Sequence, residues 1–232
     1  MRSTQQDEAQ ALLFPEHRED LKKSGLSDDI IQQAGLHSVK ASALAELIGW
    51  VPPEVKSALV FPYHGETDGF CRVKVFPPYT AKDGSTARYL QRKESGSRLY
   101  VPSPAQPVLS NPVIPLLWTE GEKKALKACQ EGLSSLALGG LWNWRVHGQP
   151  ALWLDSLAYA NRPITIAPDS DVWARPDLIQ AVYAFGKELE LRGAIVNVLI
   201  IVPAILDTGI VETFREPCAQ VGSIEASAAD LR

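Results

Sequence analysis

Two stretches carry side chains that could do chemistry together. The first is Trp118-Thr119-Glu120-Gly121-Glu122-Lys123-Lys124-Ala125-Leu126; the second, about fifty residues on, is Pro168-Asp169-Ser170-Asp171. Val113 to Thr119 is apolar and short, as a buried strand should be, and Glu122 to Glu131 has its apolar residues at helical spacing. Glu120 therefore falls where a strand ends and a helix begins. In a parallel α/β sheet that end of a strand opens onto the ligand crevice. Pro163 to Ala167 reads as a second strand that ends in the Asp-x-Asp. If the two strands are neighbours, Glu120, Asp169 and Asp171 converge on one edge. Three clustered carboxylates repel one another unless a hard cation sits among them, and Mg2+ takes oxygen ligands of this kind. The pattern predicts a divalent-metal site that handles phosphates, with Lys123 or Lys124 placed to meet a phosphate charge.

The elements that must position these residues follow a strand–helix rhythm. Ser134 to Leu138 reads as a strand after the Gly132 helix stop, and Gly139-Gly140 with Leu141 to Trp144 reads as a loop. Leu152 to Ala160 is expected to be helical. A helix from Pro176 to Arg192 closes at Gly193, and Ala194 to Val202 is a β-branched strand. The expected fold class is α/β, a small parallel sheet flanked by helices over residues 113–202.

A mixed α+β unit precedes it over residues 14–108. Glu16 to Ser24 and Asp28 to Ala34 read as helices, the second with Ser27 as N-cap and Gly35 at its end. Ala43 to Ile48 adds another helical turn. Ser57 to Tyr63, Gly69 to Phe76 and Arg88 to Gln91 read as strands, with a turn at Pro77-Pro78. From Arg72 to Arg98 there are seven basic residues (Arg72, Lys74, Lys82, Arg88, Arg92, Lys93, Arg98) against Asp83 and Glu94. Arg72 and Lys74 share one face of a strand, which suits a phosphate track for a single strand, with Tyr89 or Tyr100 available for stacking. The prolines from Pro102 to Pro115 predict a stiff linker between the two units. Residues 203–232 form a C-terminal extension in which Val211 to Arg215 could be helical.

Composition sets the bounds. A net charge of -4 argues against nucleic-acid binding by the whole surface, though not by a local track. Cys71, Cys129 and Cys218 are far apart, which excludes a Cys-x-x-Cys zinc site, and the four histidines are equally dispersed. The longest apolar run, Ala194 to Leu206, contains Asn197 and Pro203 and is too short to span a membrane. With no signal peptide ahead of the first helix, a cytoplasmic protein is expected.

The segment from Val113 to about Val202 resembles the Toprim domain shared by topoisomerases and bacterial-type primases. That family has a Glu after its first strand and an Asp-x-Asp after its third, matched here by Glu120, Asp169 and Asp171. The upstream landmarks Ser24-Gly25-Leu26-Ser27, Gly69 to Pro77, Arg88-Tyr89-Leu90 and Leu99-Tyr100 are similar to the basic subdomain of a bacterial primase core. The whole chain, over roughly residues 14–202, most resembles a Toprim-like domain of unknown function carried by phage, plasmid and integrated-element replication proteins. Its marks are Thr119 to Ala125 and Leu138-Gly139-Gly140-Leu141-Trp142-Asn143-Trp144.

The resemblance implies a primase-like nucleotidyl transferase making primers on single-stranded DNA. Glu120, Asp169 and Asp171 would be catalytic and hold Mg2+ or Mn2+. Lys123 and Lys124 would meet the nucleoside triphosphate, and Arg72, Lys74, Arg88, Arg92, Lys93 and Arg98 the template. A separate replicative helicase is an implied partner, since no P-loop is present. The sequence departs from bacterial primases at Lys124, where they carry an acid. It departs again after the fourth strand, where only Asp207 stands near the family's acidic element. Two other readings stay open: a Toprim-type nuclease, and a non-catalytic module binding nucleic acid or a replication partner. Singly, Glu120 also reads as a first-turn acid answering the helix dipole, Asp169 and Asp171 as a plain loop, and Trp142 and Trp144 as core or lid residues.

Overall fold

The computed structural model describes residues 13–200. Asp207, Cys218, the segments 1–11 and 203–232, and the expected helix at 211–215 lie outside the described residues.

Two helices open the chain, α1 (Pro15–Lys23) and α2 (Asp28–Gln33). Pro15 supplies the fixed φ of a first helical residue, and the Ser27 hydroxyl accepts the Ile30 amide at 3.3 Å, capping α2. Strand β1 (His37–Lys40), the short helix α3 (Leu44–Ile48), and strands β2 (Ser57–Pro62), β3 (Cys71–Thr80) and β4 (Thr86–Gln91) follow. The four strands form an antiparallel sheet in sequence order. β1 is short and half-buried and was not legible as a strand. The expected turn at Pro77-Pro78 lies inside β3, which runs on to Thr80 with a register shift between Lys74 and Tyr79.

The second sheet is parallel. It holds β5 (Leu116–Glu120), β6 (Ser135–Leu138), β9 (Pro163–Ala167) and β10 (Ile195–Val198) in the order β10-β9-β5-β6. Helix α4 (Glu122–Gln130) joins β5 to β6, and α5 (Pro176–Leu191) joins β9 to β10. Between β6 and β9 lies a two-stranded hairpin, β7 (Arg145–Val146) with β8 (Gln149–Pro150). The expected helix at Leu152 is a 3-10 turn, Leu152–Ser156.

Alternation along the strands decides the layers. Leu116 and Trp118 of β5, Leu136 and Leu138 of β6, and Ile164 and Ile166 of β9 pack with Phe185 and Leu189 of α5. On the opposite face Ala137 meets Ala125 and Leu126 of α4, and these join a core with Leu21, Ile30, Ile31, Leu59 and Phe61. Helix α4 is thus shared between the two sheets. The far face of the antiparallel sheet packs on Leu44 and Ile48 of α3.

The proline-rich connection is packed rather than free. Ser103–Val108 forms a 3-10 helix, Ala105 is fully buried, and the Tyr100 backbone pairs with Ala137 at the edge of β6. Arg162, with no exposed surface, donates to the carbonyls of Val108 (2.7 Å), Leu109 (2.8 Å), Ile114 (2.9 Å) and Ala158 (3.2 Å). A buried guanidinium must satisfy its donors, and here it does so by pinning the connection to the parallel sheet.

His17 is also fully buried, its ring nitrogens paired with Ser38 Oγ at 2.7 Å and Ser57 Oγ at 3.0 Å. Burial holds its pKa below the ordinary value, against the pull of Glu16 and Asp20 and helped by Lys74. A depressed folded-state pKa gives stability that is present above the unfolded value and is lost as pH falls through the folded one. His17→Gln is therefore expected to flatten the fall in melting temperature between about pH 7 and pH 5. A variant curve parallel to the wild type would refute this. Among the described residues no helix is long and apolar enough to cross a membrane.

Candidate functional site

Glu120 is the last residue of β5, and Gly121 makes the turn into α4 with φ 88°, a conformation that favours glycine. β5 pairs in parallel with β9, Thr119 level with Ala167, so Glu120 stands level with Pro168 and one residue short of Asp169. The condition set by the sequence, that the two strands be neighbours, is met. Asp171 lies in the 3-10 helix Ser170–Ala174 that follows.

The electrostatics bear on the same grouping. Burial and then the Asp169 charge push the Glu120 carboxyl above its usual range; Asp171 adds to this, and Lys124 and Arg175 oppose it. Lys124, in the first turn of α4, donates to Asp169 Oδ1. Arg175 ends the 3-10 helix and pairs with Asp177 at 3.1 Å. Sequence reasoning missed Arg175; its position four residues after Asp171 and directly before a helix-starting proline was the available signal.

The donor set is carboxylate oxygen throughout, which fits Mg2+ or Mn2+. The Lys124 ammonium on Asp169 occupies a place where positive charge is wanted. Among the described residues no three His, Cys, Asp or Glu side chains are gathered closely enough to hold a metal ion. The acids fit such an ion in the chemistry of their oxygens, but they are not drawn together into a three-ligand site, and a lysine sits on one of them.

The basic residues divide into two sets. Arg72 and Lys74 share a face of β3, as expected, but that face turns toward α1 and α4. Arg72 Nη1 donates to Glu122 Oε1 at 2.7 Å, and Tyr63 donates to the same oxygen at 2.7 Å. Glu122 is 2% exposed. Burial and then the Glu122 charge drive the Tyr63 phenol far above its ordinary value. Lys74 Nζ lies 2.5 Å from Asp20, which Lys123 also reaches at 3.1 Å. Burial disfavours the Asp20 charge, yet the two lysines hold its pKa below the ordinary value. Lys123 thus points to the N-terminal unit and Lys124 to the carboxylate edge.

Arg88, Arg92 and Lys93 are exposed. Lys93 stands 5.9 Å from the Trp50 ring, and Arg92 reaches the Glu46 carbonyl at 3.4 Å. Arg98 is paired with Glu66 at 3.1 Å and Asp68 at 3.5 Å. Tyr100 is 2% exposed, so it is closed to base stacking; Tyr89 is half-buried, with Arg72 5.4 Å from its ring centre. Trp144 is buried against Phe185 at 5.8 Å, while half-buried Trp142 carries the Arg145 guanidinium 3.9 Å from its ring centre.

This architecture is similar to bacterial primase catalytic cores. The RNA polymerase and zinc-binding domains of Aquifex aeolicus primase match with a TM-score of 0.56 at 16% identity, over 82% of this chain and 50% of that one. The DnaG catalytic core matches with a TM-score of 0.53 at 17% identity, over 86% of this chain and 68% of that one. The RNA polymerase domain of Mycobacterium tuberculosis primase DnaG, in complex with a double-stranded DNA oligomer with a 6-nucleotide overhang, matches with a TM-score of 0.53 at 17% identity. That match covers 82% of this chain and 68% of that one. The chain thus spans half the length of the Aquifex aeolicus structure. A family model described as a domain of unknown function (DUF3854) matches residues 105–212, which include Glu120, Asp169 and Asp171. No curated protein matches.

Proposed function

We propose that this chain is a primase-like nucleotidyl transferase that builds a primer from nucleoside triphosphates on a single-stranded DNA template. The observation that carries the reading is the parallel register of β5 and β9, which brings Glu120 level with the turn leading to Asp169. The similarity of fold to primase cores supports it. Glu120, Asp169 and Asp171 would hold Mg2+ or Mn2+, which would neutralise phosphate charge during in-line displacement. Lys124 and Arg175 flank the acids and would orient the triphosphate. Exposed Arg88, Arg92 and Lys93 would hold template phosphates, while Arg72 joins the two units through Glu122 and Lys74 backs Asp20, which Lys123 reaches from α4. On this reading the likeness to a Toprim-like domain of mobile-element replication proteins supports a part in the replication of a phage, plasmid or integrated element, where a separate helicase would be its partner.

The test is incubation of the protein with end-labelled single-stranded DNA, four ribonucleotides and Mg2+ or Mn2+, beside an Asp169→Ala/Asp171→Ala variant. New or extended oligonucleotides, absent with the variant, are expected. Shortened DNA that is absent with the variant would reassign the site to a nuclease. The ion pair between Lys124 and Asp169 favours a second reading, a non-catalytic binding module. DNA left unchanged, yet bound equally by both proteins in chelator, would establish that reading instead.

A further inference from the structure

We propose that Lys124 is an internal cation that occupies Asp169 until a substrate phosphate draws it away, so that metal and nucleotide load together. The proposal rests on reading the carboxylate edge as a metal site. It begins with an anomaly in α4. A helix N-terminus favours acids and disfavours cations, yet the first turn of this nine-residue helix carries Lys123 and Lys124 in succession. Each has an acid brought to it from elsewhere: Asp20 of α1 for Lys123, and Asp169 beyond β9 for Lys124.

The two pairs differ in what they can do. The Lys123 side chain is 19% exposed and its acid is shared with Lys74, so it is locked into the contact between the two units. The Lys124 side chain is 51% exposed and that of Asp169 42% exposed. An exposed pair of this kind is weak and is readily exchanged for another partner. Lysine is a compact charge on a flexible stem, able to swing from a carboxylate to a phosphate without moving the helix. While it sits on Asp169 it opposes a divalent ion twice, by taking the ligand oxygen and by repelling the ion. Once a triphosphate engages it, Asp169 is released. By linkage, whatever phosphate does for the metal the metal must do for phosphate.

The test reads binding rather than turnover. Free Mn2+ is followed by electron paramagnetic resonance as the metal alone is titrated into nucleotide-free protein. Lys124→Met is expected to bind Mn2+ about tenfold tighter than wild type, the scale for removing one exposed unit charge beside a divalent ion. Lys124→Arg should remain near wild type. Lys127→Met removes an equal charge from the same helix, where Lys127 pairs with Glu131, and should also remain near wild type. In chelator, pyrophosphate binding should weaken in Lys124→Met and recover in Lys124→Arg. Equal Mn2+ affinity in Lys124→Met and wild type would overturn the proposal and leave the metal site standing. An equal gain in Lys127→Met would also overturn it, by assigning the effect to bulk charge. No Mn2+ binding by any of these proteins would remove the metal-site reading, and the proposal with it.

Discussion

Glu120→Gln is expected to lower primer synthesis on the order of a thousandfold while leaving the protein at least as stable as before. The two effects share one cause. Glu120 is half-buried at the end of β5, and burial, Asp169 and Asp171 all disfavour its charge. A neutral glutamine of the same shape relieves that repulsion, so the melting temperature should not fall. It also removes a ligand and a unit of negative charge from the place where a divalent ion would sit, so chemistry should stop. Residues that harm stability and serve chemistry are characteristic of functional sites, because the strain of like charges is useful only once the cation arrives. The measurement is a thermal melt beside the primer assay. Lost activity together with a markedly lower melting temperature would make Glu120 a structural acid. Retained activity would remove it from the site.

Arg72→Met should cost about 3–5 kcal/mol of stability, the usual scale for removing one partner of a buried ion pair. Glu122 is 2% exposed and would keep only the Tyr63 hydroxyl. The space around Arg72 is also committed: a Cβ at Gly139 would lie 2.6 Å from Arg72 Nη1, so β3, α4 and the loop leaving β6 meet at this guanidinium. Pairing Arg72→Met with Glu122→Gln should recover much of the loss, since the amide oxygen can still accept from Tyr63 and no buried charge is stranded. Tyr63→Phe should cost about 1 kcal/mol. Denaturant titration of the four proteins measures this. If Arg72 served the template instead, Arg72→Met would weaken DNA binding and leave stability unchanged.

The contrast between Glu120 and Arg72 shows how far local pattern reaches. The position of Glu120 was legible because it follows from short-range signals: an apolar strand, a glycine turn and a helix start, with an Asp-x-Asp after a second apolar strand. Lys124 was singled out, but not its partner, because a lysine in a first turn could as well face solvent. Arg175 was missed because its local signal, a place four residues after Asp171 and before a helix-starting proline, names no partner; only the folded chain sets its charge against Glu120. Tyr100 looked available beside basic residues, and its burial came from a backbone pairing with Ala137 that sequence spacing does not encode. The prolines before Leu116 suggested a spacer. What they form depends on Arg162, some fifty residues downstream, reaching back to four carbonyls.

By itself the sequence determined most of the succession of strands and helices, β1 and the β7–β8 hairpin excepted, and the order of the acids, because these depend on periodicity and on residues a few positions apart. Only the tertiary structure decided which charges meet. Asp20 collects Lys74 from 54 residues away, within the N-terminal unit, and Lys123 from 103 residues away, a contact that exists because α4 lies between the two sheets. Ion-pair partners are chosen by which distant elements share a layer. The basic residues that read as one track are therefore divided: Arg72 goes to the joint between the two units, Lys74 and Arg98 to acids of their own unit, and Arg88, Arg92 and Lys93 to the surface.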